Sequence, residues 1–165
     1  MKKLVLLAIT IFTLTACNKR TALTGEQFKQ LAEQHGFRVE QIVGDKDAQI
    51  GIIAKYNVYD TAGIDTEMEI MFFELVGNEQ AKGAFNVFRS EMHGSLSSPL
   101  EHGLPNDSGA FGNTQEYFAF TTRGESTSLI RVGNTLAYSY TATSDSRKAA
   151  EKLFIAMGYM DKKKQ

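Results

Sequence analysis

Residues 49–59 alternate between apolar and polar side chains, and this period of two predicts a β-strand with one buried face. The apolar positions are Ile50, Ile52, Ala54, Tyr56 and Val58. Such a strand is stable only in a sheet whose apolar face is covered by a second layer. The rest of the chain must therefore supply partner strands, and helices that carry an apolar stripe.

Further stretches have the length and composition of strands. They are residues 37–43, 67–76, 116–122, 126–132 and 135–142. The last two are separated by Gly-Asn, which is typical of a two-residue hairpin turn. The centre of the 67–76 strand is apolar at four consecutive positions, which predicts a strand that is covered on both sides or meets a partner.

Three amphipathic segments predict helices over residues 24–36, 78–92 and 144–158. The first opens on a Thr-x-x-Gln capping box, in which two side chains satisfy free backbone N–H groups. Each helix has one apolar stripe to bury. We expect Phe88 and Phe154 to be deeply buried at equivalent positions of the second and third helices.

Together these elements predict an α+β fold, with a mostly antiparallel sheet and helices packed on one face. A shift of 66 residues aligns two halves, 37–93 and 115–158, which each read strand, strand, strand, helix. They are candidates for tandem repeats after an N-terminal helix, joined by a loop over 94–114. Duplication stays open, because any two amphipathic helices share apolar spacing.

Charge and cysteine content limit the class of protein. The chain has 165 residues and a formal net charge of −1, without the basic excess that favours nucleic acid. The length and composition predict one domain over 24–160, followed by a basic tail over 161–165. Cys17 is the single cysteine, so no intramolecular disulfide can form and the fold must be stabilised by burial.

Residues 1–16 have the parts of an export signal. Two lysines precede an apolar run over 4–14, which is shorter than the about 20 residues of a membrane-spanning helix. Small residues then lead to Cys17. The pattern resembles the lipobox of bacterial lipoprotein signals, in which the leader is cut before an acylated cysteine.

The resemblance covers residues 1–17, and residues 18–165 resemble no family. It implies that acyl chains such as palmitate at Cys17 hold the protein on the extracytoplasmic side of a cell membrane or outer membrane. Residues 17–23 would then form a lipidated tether. A secretory signal with a chance cysteine is the alternative interpretation.

Polar residues in and beside the long loop are the candidates for chemistry. His93, Glu101, His102 and Asp107 could converge on a metal or on an acid/base site. No histidine pair has the spacing of two ligands on one helical face, and no glycine-rich phosphate loop or nucleophile frame is present. We therefore assign no catalytic residue, metal or cofactor, and exposed loop polarity is the simpler interpretation.

The same loop carries large apolar side chains that a passive connector does not need. Leu96, Leu100, Leu104 and Phe111 lie on either side of His102. Either these side chains fold back as a lid on the domain, or they are exposed in an interaction loop that binds a partner.

Three functions are compatible with these features. We favour a membrane-tethered extracytoplasmic binding module whose partner is another envelope protein, a peptide or an envelope polymer. Aromatic residues of the last strands, including Tyr138 and Tyr140, belong either to the core or to a binding floor. The alternatives are an inhibitor or immunity-type lipoprotein that presents the 94–115 loop, and an envelope hydrolase that uses loop carboxylates and His102.

Replacing Cys17 tests the anchor. Because serine lacks the thiol, Cys17→Ser should abolish acylation and move the protein from the detergent phase to the aqueous phase in a phase-partition assay. Mass spectrometry of the wild-type protein should show cleavage before Cys17 together with the mass of the acyl chains. A variant that keeps the wild-type mass and still partitions with detergent would contradict the lipobox interpretation.

Overall fold

The computed structural model describes residues 20–42, 44, 51–60, 68–95, 100–101 and 113–162. In chain order its elements are α1 (Gly25–Gln34), β1 (Phe37–Ile42), β2 (Ile52–Asp60), β3 (Met68–Leu75), α2 (Asn78–Ser95), β4 (Leu100–Glu101), β5 (Thr114–Phe120), β6 (Ser126–Val132), β7 (Thr135–Thr141) and α3 (Ser144–Ala156). Within these residues the strands form one sheet in the order β1-β2-β3-β7-β6-β5-β4. All neighbouring strands are antiparallel, which confirms the α+β class with a mostly antiparallel sheet.

Local sequence signals start the first and last helices. The Thr24 side chain accepts from the Gln27 N–H at 3.3 Å, and Gln27 Oε1 accepts from the Thr24 N–H at 2.9 Å. A second capping box, between Thr143 and Ser146, starts α3. The predicted turn at 133–134 joins β6 to β7.

The predicted loop over 94–114 differs from the structure at two places. α2 continues to Ser95, beyond the expected helix end. Leu100 and Glu101 form β4, which pairs with the end of β5. A strand of two residues is too short to show any periodicity, so the sequence could not reveal it.

Helices cover both faces of the sheet, so the prediction that they pack on one face is wrong. Ile70 and Phe72 of β3 belong to a core with α1 and α3. Phe73 and Leu75 belong to a separate core with α2. The reason is visible in β3 itself: an apolar side chain at every central position needs a covering layer on each side.

The first core is centred on stacked aromatic rings. The Phe28 and Phe72 ring centres are 4.2 Å apart and the ring planes differ by 7°. Tyr159, which follows α3, closes this core, and its hydroxyl lies 2.6 Å from Thr135 Oγ1. The Tyr159 hydroxyl also accepts from the Leu23 N–H at 3.0 Å, so this buried polar group is satisfied.

The two helical phenylalanines are not equivalent in burial. Phe154 is fully buried, as predicted. Phe88 is only half-buried, with its ring centre 5.3 Å from that of Phe73. The fully buried aromatic residue of α2 is instead Phe85. Phe85 lies about one turn earlier on the helix and faces the sheet, whereas Phe88 lies toward the side of the helix.

The order strand, strand, strand, helix is present in both halves of the chain. However, Phe72 and Tyr138, which the 66-residue shift aligns, belong to the cores on opposite faces. β3 and β7 are neighbours, with Phe72 opposite Ala137. A two-fold rotation that exchanges antiparallel neighbours keeps each side chain on its own face. The shift therefore does not describe a symmetry of the sheet, and duplication stays a prediction.

Residues 20–23, expected in the tether, pack on the domain. Asn113 Nδ2 donates to the Arg20 carbonyl at 2.8 Å, and the Arg20 guanidinium pairs with Glu116. Ala22 and Leu23 contact the first core. This region, where β5 begins and β6 turns into β7, is called the proximal end of the sheet below.

Truncation of the helical aromatics tests this packing. Phe154→Ala and Phe85→Ala should each lower the free energy of unfolding by about 3–5 kcal/mol, because each leaves a cavity in a core. Phe88→Ala should cost less, since that ring is half-buried. Chemical denaturation of the three variants measures the order, and equal losses for Phe88 and Phe85 would contradict the described burial.

Candidate functional site

Most residues chosen from the sequence lie outside the described part of the chain. These six are Cys17, Leu96, His102, Leu104, Asp107 and Phe111. Leu100 and Glu101 contribute backbone to β4, and His93 lies in α2. The interaction loop and the loop acid/base site therefore stay predictions.

A surface that the sequence did not predict lies on the α2 side of the sheet and carries polar and aromatic side chains. α2 packs over β3, β5, β6 and β7 and reaches β2 at Ile52. Among the described elements no helix covers β1, or the part of β2 from Asn57 to Tyr59, on this side. The residues that point to this side define the open face: Arg38, Glu40, Lys55, Asn57, Tyr59, Glu69, Met71 and Tyr140. Three of these side chains are exposed and the others are half-buried.

One cross-strand row of the open face alternates charged and phenolic side chains. Arg38 pairs with Tyr59 across β1 and β2, and Glu69 pairs with Tyr140 across β3 and β7. The Arg38 guanidinium carbon lies 4.8 Å from the Tyr59 ring centre, within the range of a cation–π contact. The β2–β3 register places Tyr59 beside Glu69. A carboxylate therefore lies between two aromatic rings, an arrangement suited to binding polar ligands that have an apolar side.

Two buried polar atoms on this side of the sheet have no hydrogen-bond partner. They are Asn57 Oδ1 and Thr127 Oγ1, and they are the unpartnered buried side-chain atoms found in the described residues. Asn57 Nδ2 donates to the Tyr59 hydroxyl at 3.3 Å. Thr127 is 1% exposed and pairs with Tyr140. An unsatisfied buried polar group costs stability, and in native proteins such a group calls for a further partner such as a water molecule, an ion or a ligand.

Tyr138 lies between the open face and the core under α2. It pairs with Met71 on one side and Leu129 on the other. Burial raises the pKa of the Tyr138 phenol above its ordinary value, and the Glu69 carboxylate raises it further. The phenol therefore keeps its proton at neutral pH and is available as a hydrogen-bond donor.

An apolar groove continues the open face toward the proximal end. It has a volume of ≈ 270 Å³ between α2 and strands β2 and β3, with Gln80 and Val87 at its rim. Lys55 connects it to the open face, with Nζ 5.7 Å from the Phe73 ring centre. None of the ion pairs in the described part of the chain includes Lys55. The groove is lined mainly by Ile52, Phe73, Leu75, Ala84, Phe88 and Leu136.

Large exposed apolar side chains concentrate around this groove. Val87 is 55% exposed, Val76 is 60% exposed and Ile53 is 57% exposed. Val87 lines the groove, and Val76 lies beside the rim residue Gln80, since both side chains approach Gly51. Ile53 is not among the residues that line the groove. Exposed apolar side chains around an apolar groove are typical of a binding site for an apolar group.

No metal-binding cluster of three His, Cys, Asp or Glu side chains exists among residues 20–162 where the structure describes them. The carboxylates of the open face, Glu40 and Glu69, are both exposed. Across the described helices, none combines the length and apolar content needed to cross a bilayer.

Comparison with known proteins gives no family for this chain. No family model matches it, and no curated protein matches it. Among solved structures it is similar to the extracellular domain of PknH from Mycobacterium tuberculosis, with a TM-score of 0.39 and 9% identity. That match covers 84% of this chain and 93% of the other. Similarity at this level supports neither a common family nor a common ligand.

The buried, unpartnered hydroxyl of Thr127 gives a test of the hydrogen bonding described for this side of the sheet. Thr127→Val keeps the shape and removes an unsatisfied polar atom, so the free energy of unfolding should stay unchanged or rise by about 1 kcal/mol. Thr135→Val is the matched control, because Thr135 Oγ1 bonds the Val132 carbonyl at 2.7 Å. That control should destabilise by about 1–3 kcal/mol. Thermal or chemical denaturation that shows the reverse order would mean that Thr127 is satisfied in solution.

Proposed function

We propose that the protein is an extracytoplasmic, lipid-anchored binding module, and that its ligand lies on the open face. The anchor follows from the lipobox at Cys17. The single observation that carries the binding site is the unpartnered Asn57 Oδ1, which lies among aromatic and charged side chains on the half of the sheet that α2 does not cover.

The chemistry of the open face favours recognition. Tyr59 and Tyr140 offer aromatic surface, and Arg38 and Glu69 offer one charge of each sign. Aromatic rings bind the apolar side of sugars or peptide side chains, while amide and charged groups fix orientation through hydrogen bonds. An envelope polymer, a peptide or another envelope protein has these complementary groups.

The attachment of the N-terminal segment supports a defined orientation. Cys17 is three residues from Arg20, so it lies within roughly 11 Å of the proximal end. Tyr140 is six residues along β7 from the turn at Asn134, or about 20 Å at roughly 3.3 Å per residue. A lipid at Cys17 would therefore keep the groove near the bilayer and present the row of Tyr59 and Tyr140 away from it.

The other two functions have less support. The hydrolase requires His102 and loop carboxylates, and the inhibitor requires the 94–115 loop. His102 and Asp107 lie outside the described part of the chain, as do residues 96–99 and 102–112 of that loop. Both functions remain hypotheses that rest on the sequence.

Site-specific photo-crosslinking in the producing cell tests the proposed site. A photoreactive phenylalanine analogue at Tyr59 or Tyr140 should form a covalent adduct with the ligand, because both positions belong to the open face. The matched control is the same analogue at Gln30, which is exposed on α1 and lies on the other side of the sheet. The adduct should be absent there.

Mass spectrometry of the adduct identifies the partner as protein, peptide or polymer. Equal adducts at Tyr59 and Gln30, or adducts at none of the three positions, would contradict the proposed binding face.

A further inference from the structure

The open face and the groove form one continuous amphipathic surface. Asn57, Lys55 and the groove residue Ile52 follow one another along β2 toward the proximal end. On β3 the same direction passes from Glu69 through Phe73 to Leu75, so polar groups give way to apolar ones on both strands. A ligand that matches this surface has a polar end and an apolar end.

The position of Lys55 selects the charge of the ligand. Its ammonium group lies over the ring of Phe73, which pairs with Lys55 across β2 and β3 and lines the groove. Lys55 is half-buried, and no described ion pair includes it. A half-buried cation beside apolar surface favours an anion that is attached to an apolar chain.

The neighbouring groups restrict the anion further. Glu40 pairs with Asn57, and Glu69 lies one row beyond, so a second negative charge farther from the groove is disfavoured. Asn57 Oδ1 is a buried acceptor without a donor. The headgroup that fits has one negative charge near Lys55 and a hydroxyl or other donor directed at Asn57.

We propose that this surface binds a singly anionic amphiphile, with part of an acyl chain in the α2 groove and its headgroup between Lys55 and Asn57. The inference rests on the proposed binding module and names the ligand class of the same site. The groove volume of ≈ 270 Å³ is just below the roughly 300–1,000 Å³ of sites for drug-sized ligands. It therefore fits a segment of one acyl chain, and the remainder follows the exposed Val76 and Val87.

The orientation of the groove agrees with a ligand that comes from a bilayer. Leu75, Ile52 and Leu136 line its proximal part, near the chain segment that leads to Cys17. An amphiphile in the groove would thus keep its chain toward the membrane and its headgroup toward the open face.

Native mass spectrometry of the acylated protein, purified in detergent, tests the proposal. The probes are palmitoyl-lysophosphatidylglycerol, which is singly anionic and bears hydroxyls, and palmitoyl-lysophosphatidylcholine, which is zwitterionic. We expect a one-to-one adduct in which the anionic lipid binds about tenfold more tightly, as for one charge-assisted contact. Lys55→Gln should remove that preference and leave the binding of the zwitterionic lipid unchanged.

Ala84→Phe should fill the groove and weaken both lipids by about tenfold or more. Its matched control is Ala156→Phe, at an exposed position of α3, which should bind like the wild type. If the Ala84 variant melts early, Val87→Gln provides a second test, because Val87 is 55% exposed and the change removes apolar surface from the rim without adding a charge or disturbing a core.

Unchanged lipid binding in the groove variants, or the absence of a one-to-one adduct, would overturn the inference. The proposed binding module would survive that result if photo-crosslinks at Tyr59 still capture a peptide, protein or polymer. If Tyr59 captures nothing while the lipids bind as expected, the module binds an amphiphile, and a peptide, protein or polymer ligand on the row of Tyr59 and Tyr140 is ruled out.

Discussion

Phe72 and Phe73 are neighbours in β3 and belong to the two cores of the molecule. Phe72 stacks on Phe28 of α1, and Phe73 packs against Phe88 of α2. Because successive side chains of a strand point to opposite faces, β3 is stable at the centre of the sheet only when both covering layers are present. With no disulfide available, this two-sided burial holds the halves of the chain together.

The face of the sheet on which α2 packs is only partly covered by the described helices. Among the described helices, α1 and α3 pack on one face of the sheet, whereas α2 packs on the other face over β3, β5, β6 and β7. The remaining part of that second face is the open face with its adjoining groove. Its composition differs from an ordinary solvated strand surface, because Asn57 keeps a buried acceptor without a partner and Lys55 keeps its charge beside the Phe73 ring. Such departures from ordinary packing are expected at functional or strained sites.

The packing of residues 20–23 gives the open face a direction. These residues fasten the N-terminal segment to the proximal end through Asn113 and Glu116, so little free chain remains between the domain and Cys17. An anchored protein of this kind has limited freedom to reorient on a bilayer. The apolar groove and the phenolic row then differ in their distance from the membrane, which links the proposed anchor to the proposed ligand.

The sequence by itself determined the features that depend on near neighbours. The helices, the turn at 133–134 and the capping box at Thr24 follow from local spacing. The apolar centre of β3 indicated a strand that is covered on both sides or meets a partner, but the sequence did not decide between these alternatives. Only the tertiary structure decided which half of each face a helix covers, because that depends on contacts between distant segments. Asn57 and Lys55 look like the solvated side of a strand in the sequence. Strand pairing makes them part of a candidate site, since it brings them beside Met71 and Phe73 of β3.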